Sequence, residues 1–140
     1  MTKKSDMEKE LLRKIRDKHI LVIDDAGSSR DMIRGALSEI ELLNVKVSHN
    51  GLDGLELFNK HRFDLVITDW DMPLMTGLEF VMEVREKHDK AILPIIMLTA
   101  NAQVEMIQKA IAAGVNDYIA KPFQPINLQL KVIKQLGSRA

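Results

Sequence analysis

Apolar residues change their spacing several times along this chain, and each change marks an element. Met7, Leu11, Leu12 and Ile15 recur at helical spacing, so residues 5–17 read as a short amphipathic helix capped by Ser5 or Asp6. The unbroken apolar run at 19–23 reads as a strand buried on both faces. Residues 28–40 return to helical spacing through Met32, Ile33, Ala36, Leu37 and Ile40, with Ser28 or Ser29 as the start. A short, more polar strand follows at 45–48. Helical spacing resumes at 51–60 through Leu52, Leu55 and Phe58. The pattern then repeats: strand 63–68, helix 77–87, strand 94–98, helix 103–113, strand 116–120 and helix 125–136. Gly114 stops one helix, and Pro125 sits in the first turn of the last.

Strict alternation of strand and helix predicts a parallel sheet covered by helices on both faces, an α/β fold. The first and third strands are apolar on both faces, as central strands should be, and the polar second strand suits an edge. The connections are short, and no internal repeat or interdomain linker is present. The expected organisation is an extension at 1–18 and one domain at 19–140.

Composition changes this picture in three places. The 140 residues contain no cysteine, which removes disulfides, thiolate metal sites and a cysteine nucleophile. The 20 basic and 20 acidic residues cancel, but residues 1–18 carry +3 and the remainder −3. The extension is therefore read either as a solvated helix lightly packed on the domain or as a docking or dimerisation element. Zero net charge and 4% aromatic residues argue against a nucleic-acid partner. No apolar run is long enough to span a bilayer, and the charged N-terminus does not resemble a signal peptide, so a cytoplasmic location is expected.

In open α/β sheets, ligands bind beyond the carboxyl ends of the strands. The first strand runs into Asp24 and Asp25. The third ends in Asp69, with Trp70 and Asp71 behind it. Thr99 and Ala100 follow the fourth strand, and Lys121 and Pro122 follow the fifth. If the first and third strands are neighbours, three or four carboxylates crowd one edge, which is costly unless a cation joins them. All-oxygen ligands point to Mg²⁺. A lysine and a hydroxyl nearby suit a phosphoryl group, toward which a carboxylate can act as a nucleophile.

These motifs resemble the receiver domain of bacterial response regulators, most closely the single-domain, CheY-like kind. They are Asp24-Asp25, Asp69-Trp70-Asp71-Met72-Pro73 with Gly77, Leu98-Thr99-Ala100, and Tyr118-Ile119-Ala120-Lys121-Pro122-Phe123. The resemblance covers residues 19–136. It implies a doubly wound five-stranded parallel sheet of flavodoxin-like order 2-1-3-4-5, with five helices beside the N-terminal one. It implies a phosphoacceptor signalling protein and not a classical enzyme. Asp69 would accept a phosphoryl group from a histidine kinase, CheA-like or other. Mg²⁺ would be bound by Asp25 and Asp69, by Asp24 through water and by the backbone carbonyl of Asp71. Thr99, Ala100 and Lys121 would hold the phosphoryl group. Thr99 and Tyr118 would form the switch, and the Lys121–Pro122 bond would be cis. The implied readout face is the fourth core helix, the fifth strand and the last helix.

With so few residues outside 19–136, output through a protein partner is expected, such as a flagellar-motor switch protein or a phosphotransfer protein. A dimer through the N-terminal helix or the readout face is also open. A phosphorelay intermediate, a phosphate sink and an unphosphorylated interaction module stay as alternatives within the class. Outside it stand a haloacid-dehalogenase-type phosphatase, from Asp69-Trp70-Asp71, and a flavin binder, from Gly27-Ser28-Ser29. The helix 28–40 departs from motor regulators, leaving the partner open. Thr99 as a helix cap and Tyr118 as half-buried packing are the plain readings of those residues. Trp70 is expected over the site, with packing against a helix as the alternative. The four histidines read as surface or loop residues.

Overall fold

The computed structural model describes residues 3–139. Helix α1 (Lys3–Ile15) precedes the alternating units β1 (Ile20–Ile23), α2 (Gly27–Glu39), β2 (Val45–Ser48), α3 (Gly51–Lys60), β3 (Leu65–Asp69), α4 (Gly77–Arg85), β4 (Ile95–Thr99), α5 (Val104–Ala113), β5 (Asp117–Ala120) and α6 (Pro125–Gly137). All neighbouring strands are parallel, in the order β2-β1-β3-β4-β5. This is the sheet that the sequence predicts, with β2 at one edge.

Alternation within each strand feeds two cores. Ile20 and Val22 of β1, Leu65 and Ile67 of β3, and Ile96 and Leu98 of β4 face α2 and α6. Leu21, Ile23, Val66, Ile95 and Met97 face the opposite way, toward Phe58 of α3, Phe80, Val81 and Val84 of α4, and Ala110 of α5. Full burial of each such side chain contributes about 1.5–3 kcal/mol. Ile15, 0% exposed, joins the first core, and Leu12 packs against it. Helix α1 thus reaches into the domain's interior through its last turn, while Met7 stays exposed.

Several expected boundaries shift, each for a local reason. Helix α1 is already under way at Ser5 and Asp6, which lie inside it and do not cap it. Helix α2 begins at Gly27, with Ala26 as N-cap and no cap bond from its own side chain. Neither Ser28 nor Ser29 caps it: the Asp24 carboxylate accepts from Ala26 N at 3.0 Å and from Ser29 Oγ at 2.6 Å. Strand β3 begins two residues late because Asp64 turns to His19. Asp64 N donates to His19 O at 2.8 Å, and His19 N donates to the Asp64 carboxylate at 2.8 Å. Where sequence reading found caps and stops, the structure uses them: Gly114 ends α5 at φ 108° and Pro125 opens α6. Asn50 and a Thr76–Glu79 capping box, unforeseen, start α3 and α4.

One polar cluster locks the end of the sheet remote from the acids. Asn116 Oδ1 accepts from Ile95 N and from Arg85 Nη2, both at 2.9 Å, and its Nδ2 donates to Lys90 O at 2.9 Å. Arg85 Nε also donates to Gly114 O at 2.9 Å. Burial pushes the Arg85 guanidinium down to about 10, still charged at neutral pH. Replacing Asn116 by Ala strands the Ile95 N–H and part of this half-buried guanidinium. Asn116→Ala is expected to cost about 2–3 kcal/mol in urea unfolding. A loss below about 0.5 kcal/mol would show that water replaces the amide.

Candidate functional site

The register of β1 on β3 decides where the acids meet. Ile23 pairs with Thr68, so the next residue of each strand, Asp24 and Asp69, leaves the sheet side by side. Asp69 pairs with Leu98, and Thr99 pairs with Ala120, so Thr99 and Lys121 emerge at the same edge.

Lys121 stands at the centre of the cluster. Its Nζ donates to Asp24 Oδ2 at 2.8 Å and to Asp69 Oδ2 at 3.1 Å. Asp24 is fully buried and Asp69 is 8% exposed. Asp69 Oδ1 accepts from Trp70 N at 2.7 Å. Asp25 is exposed, yet one carboxylate oxygen from each of Asp24, Asp25 and Asp69 lies within 4.8 Å of the others. Three carboxylates against one ammonium leave two negative charges. An all-oxygen, partly buried set with that surplus fits a hard divalent cation.

The electrostatics follow from burial. Loss of solvent raises the pKa of Asp69; the Lys121 charge and hydrogen bond oppose the rise incompletely, and Asp24 adds to it. Burial works against the Lys121 ammonium, but its bonds to Asp24 and Asp69 prevail and raise its pKa.

Other candidates are placed differently. Thr99 is 4% exposed, and its hydroxyl closes a turn: it donates to Asn101 O and accepts from Asn101 N, both at 3.0 Å. It does not cap α5, whose N-cap is Gln103. Ala100 is exposed and borders a cavity of about 490 Å³ with Ser28, Ser29, Met32 and Lys121. The Asp71 side chain is exposed and outside the carboxylate group. Tyr118 is half-buried beside Met97's register position and lines a separate cavity of about 590 Å³ between β5 and α6. The Trp70 side chain is buried in the second core with Phe80 and Met72, which favours packing over an open position above the acids. The Lys121–Pro122 bond is cis, as the resemblance implied.

Two supporting residues escaped sequence reading. Ser29 holds the Asp24 carboxylate, and Arg30 Nη1 donates to Asp24 O at 2.7 Å. Their separations of five and six residues cross a strand-to-helix turn, so no periodicity signals them. Using Ser29 on an acid also removes a hydroxyl that a flavin phosphate loop would need.

The β3–α4 loop is held against Asp69 by a glycine. A Cβ on Gly77 would stand 2.0 Å from Asp69 O, while Gly77 N donates to Trp70 O at 2.8 Å. Gly77→Ala must push backbone against backbone. It is expected to cost about 2–3 kcal/mol in urea unfolding and to weaken divalent-cation binding. Unchanged stability would show that the loop yields freely.

Asp69 binds its proton more tightly folded than unfolded. The metal-free protein therefore loses stability from this group as pH rises through the carboxylate range. Asp69→Asn removes that cost while leaving Lys121 its bond to Asp24. In EDTA at pH 7, calorimetry should show a Tm a few degrees above wild type. A lower Tm would mean that the Asp69–Lys121 pair stabilises the empty site on balance.

Sequence comparisons meet this geometry. The profile of the response regulator receiver domain matches residues 20–133. The chain is 37% identical over 115 residues to chemotaxis protein CheY-3 of Vibrio cholerae serotype O1, covering 82% of this chain and 88% of that protein. It is 36% identical to chemotaxis protein CheY of Pseudomonas aeruginosa, covering 82% of this chain and 93% of that one. Chemotaxis regulator CheY4 of Vibrio cholerae superposes with TM-score 0.78 at 34% identity, over 85% of this chain and 98% of that chain. A two-component response regulator with a GGDEF domain superposes with TM-score 0.88 at 26% identity, over 96% of this chain and 55% of that one. Matched from Ile20 to Ile133 and sharing a sheet order that brings its acids together, this chain belongs to the response regulator receiver domain family.

Proposed function

We propose that this response regulator takes a phosphoryl group onto Asp69 from the phosphohistidine of a kinase and signals by binding a protein partner, in a cytoplasmic pathway of the chemotaxis type. The observation that carries this reading is the Lys121 ammonium shared between Asp24 and Asp69, with Asp25 beside them. A nucleophilic carboxylate, further acids and a cation meet there at one partly open edge.

Asp24, Asp25 and Asp69, with the backbone carbonyl of Asp71, would hold Mg²⁺. Bound there, Mg²⁺ neutralises charge on the phosphoryl oxygens. In the transfer, an Asp69 oxygen forms a bond to phosphorus as the phosphorus–nitrogen bond to histidine breaks; the imidazole keeps the electron pair and takes up a proton. Lys121 then exchanges a carboxylate contact for a phosphoryl oxygen. The backbone N–H of Ala100 and the Thr99 hydroxyl supply further donors. Thr99 must first leave its turn with Asn101, which gives the phosphoryl group a specific contact to reward. Tyr118, on the strand beside Thr99's strand, is the second switch residue. Its movement would change the α5–β5–α6 surface around the 590 Å³ cavity, which makes that surface the output face. The named chemotaxis relatives support the pathway, and a motor-switch or phosphotransfer protein is the kind of target implied.

Incubation with acetyl phosphate and Mg²⁺ should give one phosphoryl adduct by intact mass. Asp69→Asn should give none, and Lys121→Ala should lower its yield at least tenfold. Trp70 fluorescence should respond to Mg²⁺ and again to beryllofluoride, because the Trp70 backbone is bonded to the acceptor. A wild-type protein that forms no adduct would overturn the phosphoacceptor reading.

A further inference from the structure

At the end of the sheet opposite the acids lies a cleft of about 660 Å³. Lys14 from α1, Lys18 from the following loop, Lys46 from β2 and Arg62 from the α3–β3 turn surround it. His19 and His61 add ring nitrogens, and Asp17 and Asp64 are the acids present. Four fixed cations against two carboxylates leave two positive charges. Among the described residues, none of the four cations forms an ion pair or a side-chain hydrogen bond. Asp64 is already engaged, accepting from His19 N at 2.8 Å.

The cleft has a fixed floor. The His19–Asp64 bonds tie the approach to β1 to the approach to β3, and Ile20 N donates to Asn44 O at 2.9 Å. Phe63 closes the base, stacked against Phe58 at 6.3 Å, with the His61 ring edge-on to it at 6.3 Å. Phe63 and His61 thus line the same cleft as cations drawn from α1, the loop after it, β2 and the α3–β3 turn. The size falls within the roughly 300–1,000 Å³ of small-molecule sites. An acidic helix or peptide would want an extended basic face; this one is concave and has an aromatic base. The family profile begins at Ile20, so Lys14, Asp17, Lys18 and His19 lie outside it. Lys14, Asp17 and Lys18 of the basic N-terminal segment accordingly supply one wall of the cleft.

We propose that this cleft is a second ligand site, which binds a nucleotide polyphosphate. The phosphates lie among Lys14, Lys18, Lys46 and Arg62, and the base lies against His61 and Phe63. Helix α1, seated through Ile15, forms part of the site.

The test is calorimetric titration of the full chain with ATP and with GTP in EDTA, where no divalent cation can bridge phosphate to the acidic edge. Binding is expected, weakening as KCl is raised. The double variant Lys46→Glu with Arg62→Glu should weaken it tenfold or more. Both side chains are exposed, and an unchanged Tm would show that the fold is intact. If the double variant does not fold, Lys18→Gln in its place should weaken binding at least threefold. No heat with either nucleotide at millimolar concentration overturns the proposal. Undiminished binding by the charge variants overturns it too. So does binding of a poly-glutamate peptide without nucleotide binding, which would make the cleft a protein-docking surface.

Discussion

The Lys121 ammonium lies between Asp24 and Asp69, 2.8 Å from one carboxylate and 3.1 Å from the other. Parallel packing of β1 and β3 forces those two acids together, and their repulsion would oppose the sheet order if nothing stood between them. Burial more than that repulsion raises the pKa of Asp69, and Lys121 offsets the rise only in part. The domain therefore maintains a tense edge, and the rest of the fold holds it in place. Strands buried on both faces fix the register, Gly77 lets the loop approach Asp69 O, and Ser29 and Arg30 anchor Asp24.

That tension is consistent with the proposed function, in which the site takes up a metal ion and a phosphoryl group. Under the proposed function, a second cation, or a phosphoryl group that draws Lys121 away from the carboxylates, would change which contacts are favourable. Thr99 is held by a turn with Asn101 and not by the cluster, so its hydroxyl can be redirected at the cost of two local bonds. Differential contacts of this size, about 1 kcal/mol each, are enough to bias a two-state surface. On the proposed reading, the cavity around Tyr118 is where such a change would be expressed.

Helix α1 joins the core to the rim of the basic cleft. Its buried Ile15 belongs to the core that α2 and α6 share, whereas its charged face borders the basic cleft. The structure that superposes over 96% of the chain must include most of this helix, since β1 begins only at Ile20. The CheY4 superposition stops at 85%. The helix is therefore packed as part of the domain in this chain and has a counterpart in a relative of different architecture.

Periodicity and punctuation in the sequence determined the element order, the parallel α/β class, the α3 and β2 bounds, the stop at Gly114 and the start at Pro125, because these are local effects of spacing and backbone preference. The Asp, Thr and Lys candidates were legible as strand-end residues for the same reason. Tertiary structure alone decided how they meet: Asp24 and Lys121 are separated by 97 positions, and only strand register makes them partners. It also placed Trp70 in the core, kept Tyr118 in a different cavity from Lys121, enlisted Ser29 and Arg30, and gathered four cations from distant segments into one cleft. Each of these depends on how separate elements pack or on a turn between them, where the spacing of apolar residues carries no information about distance.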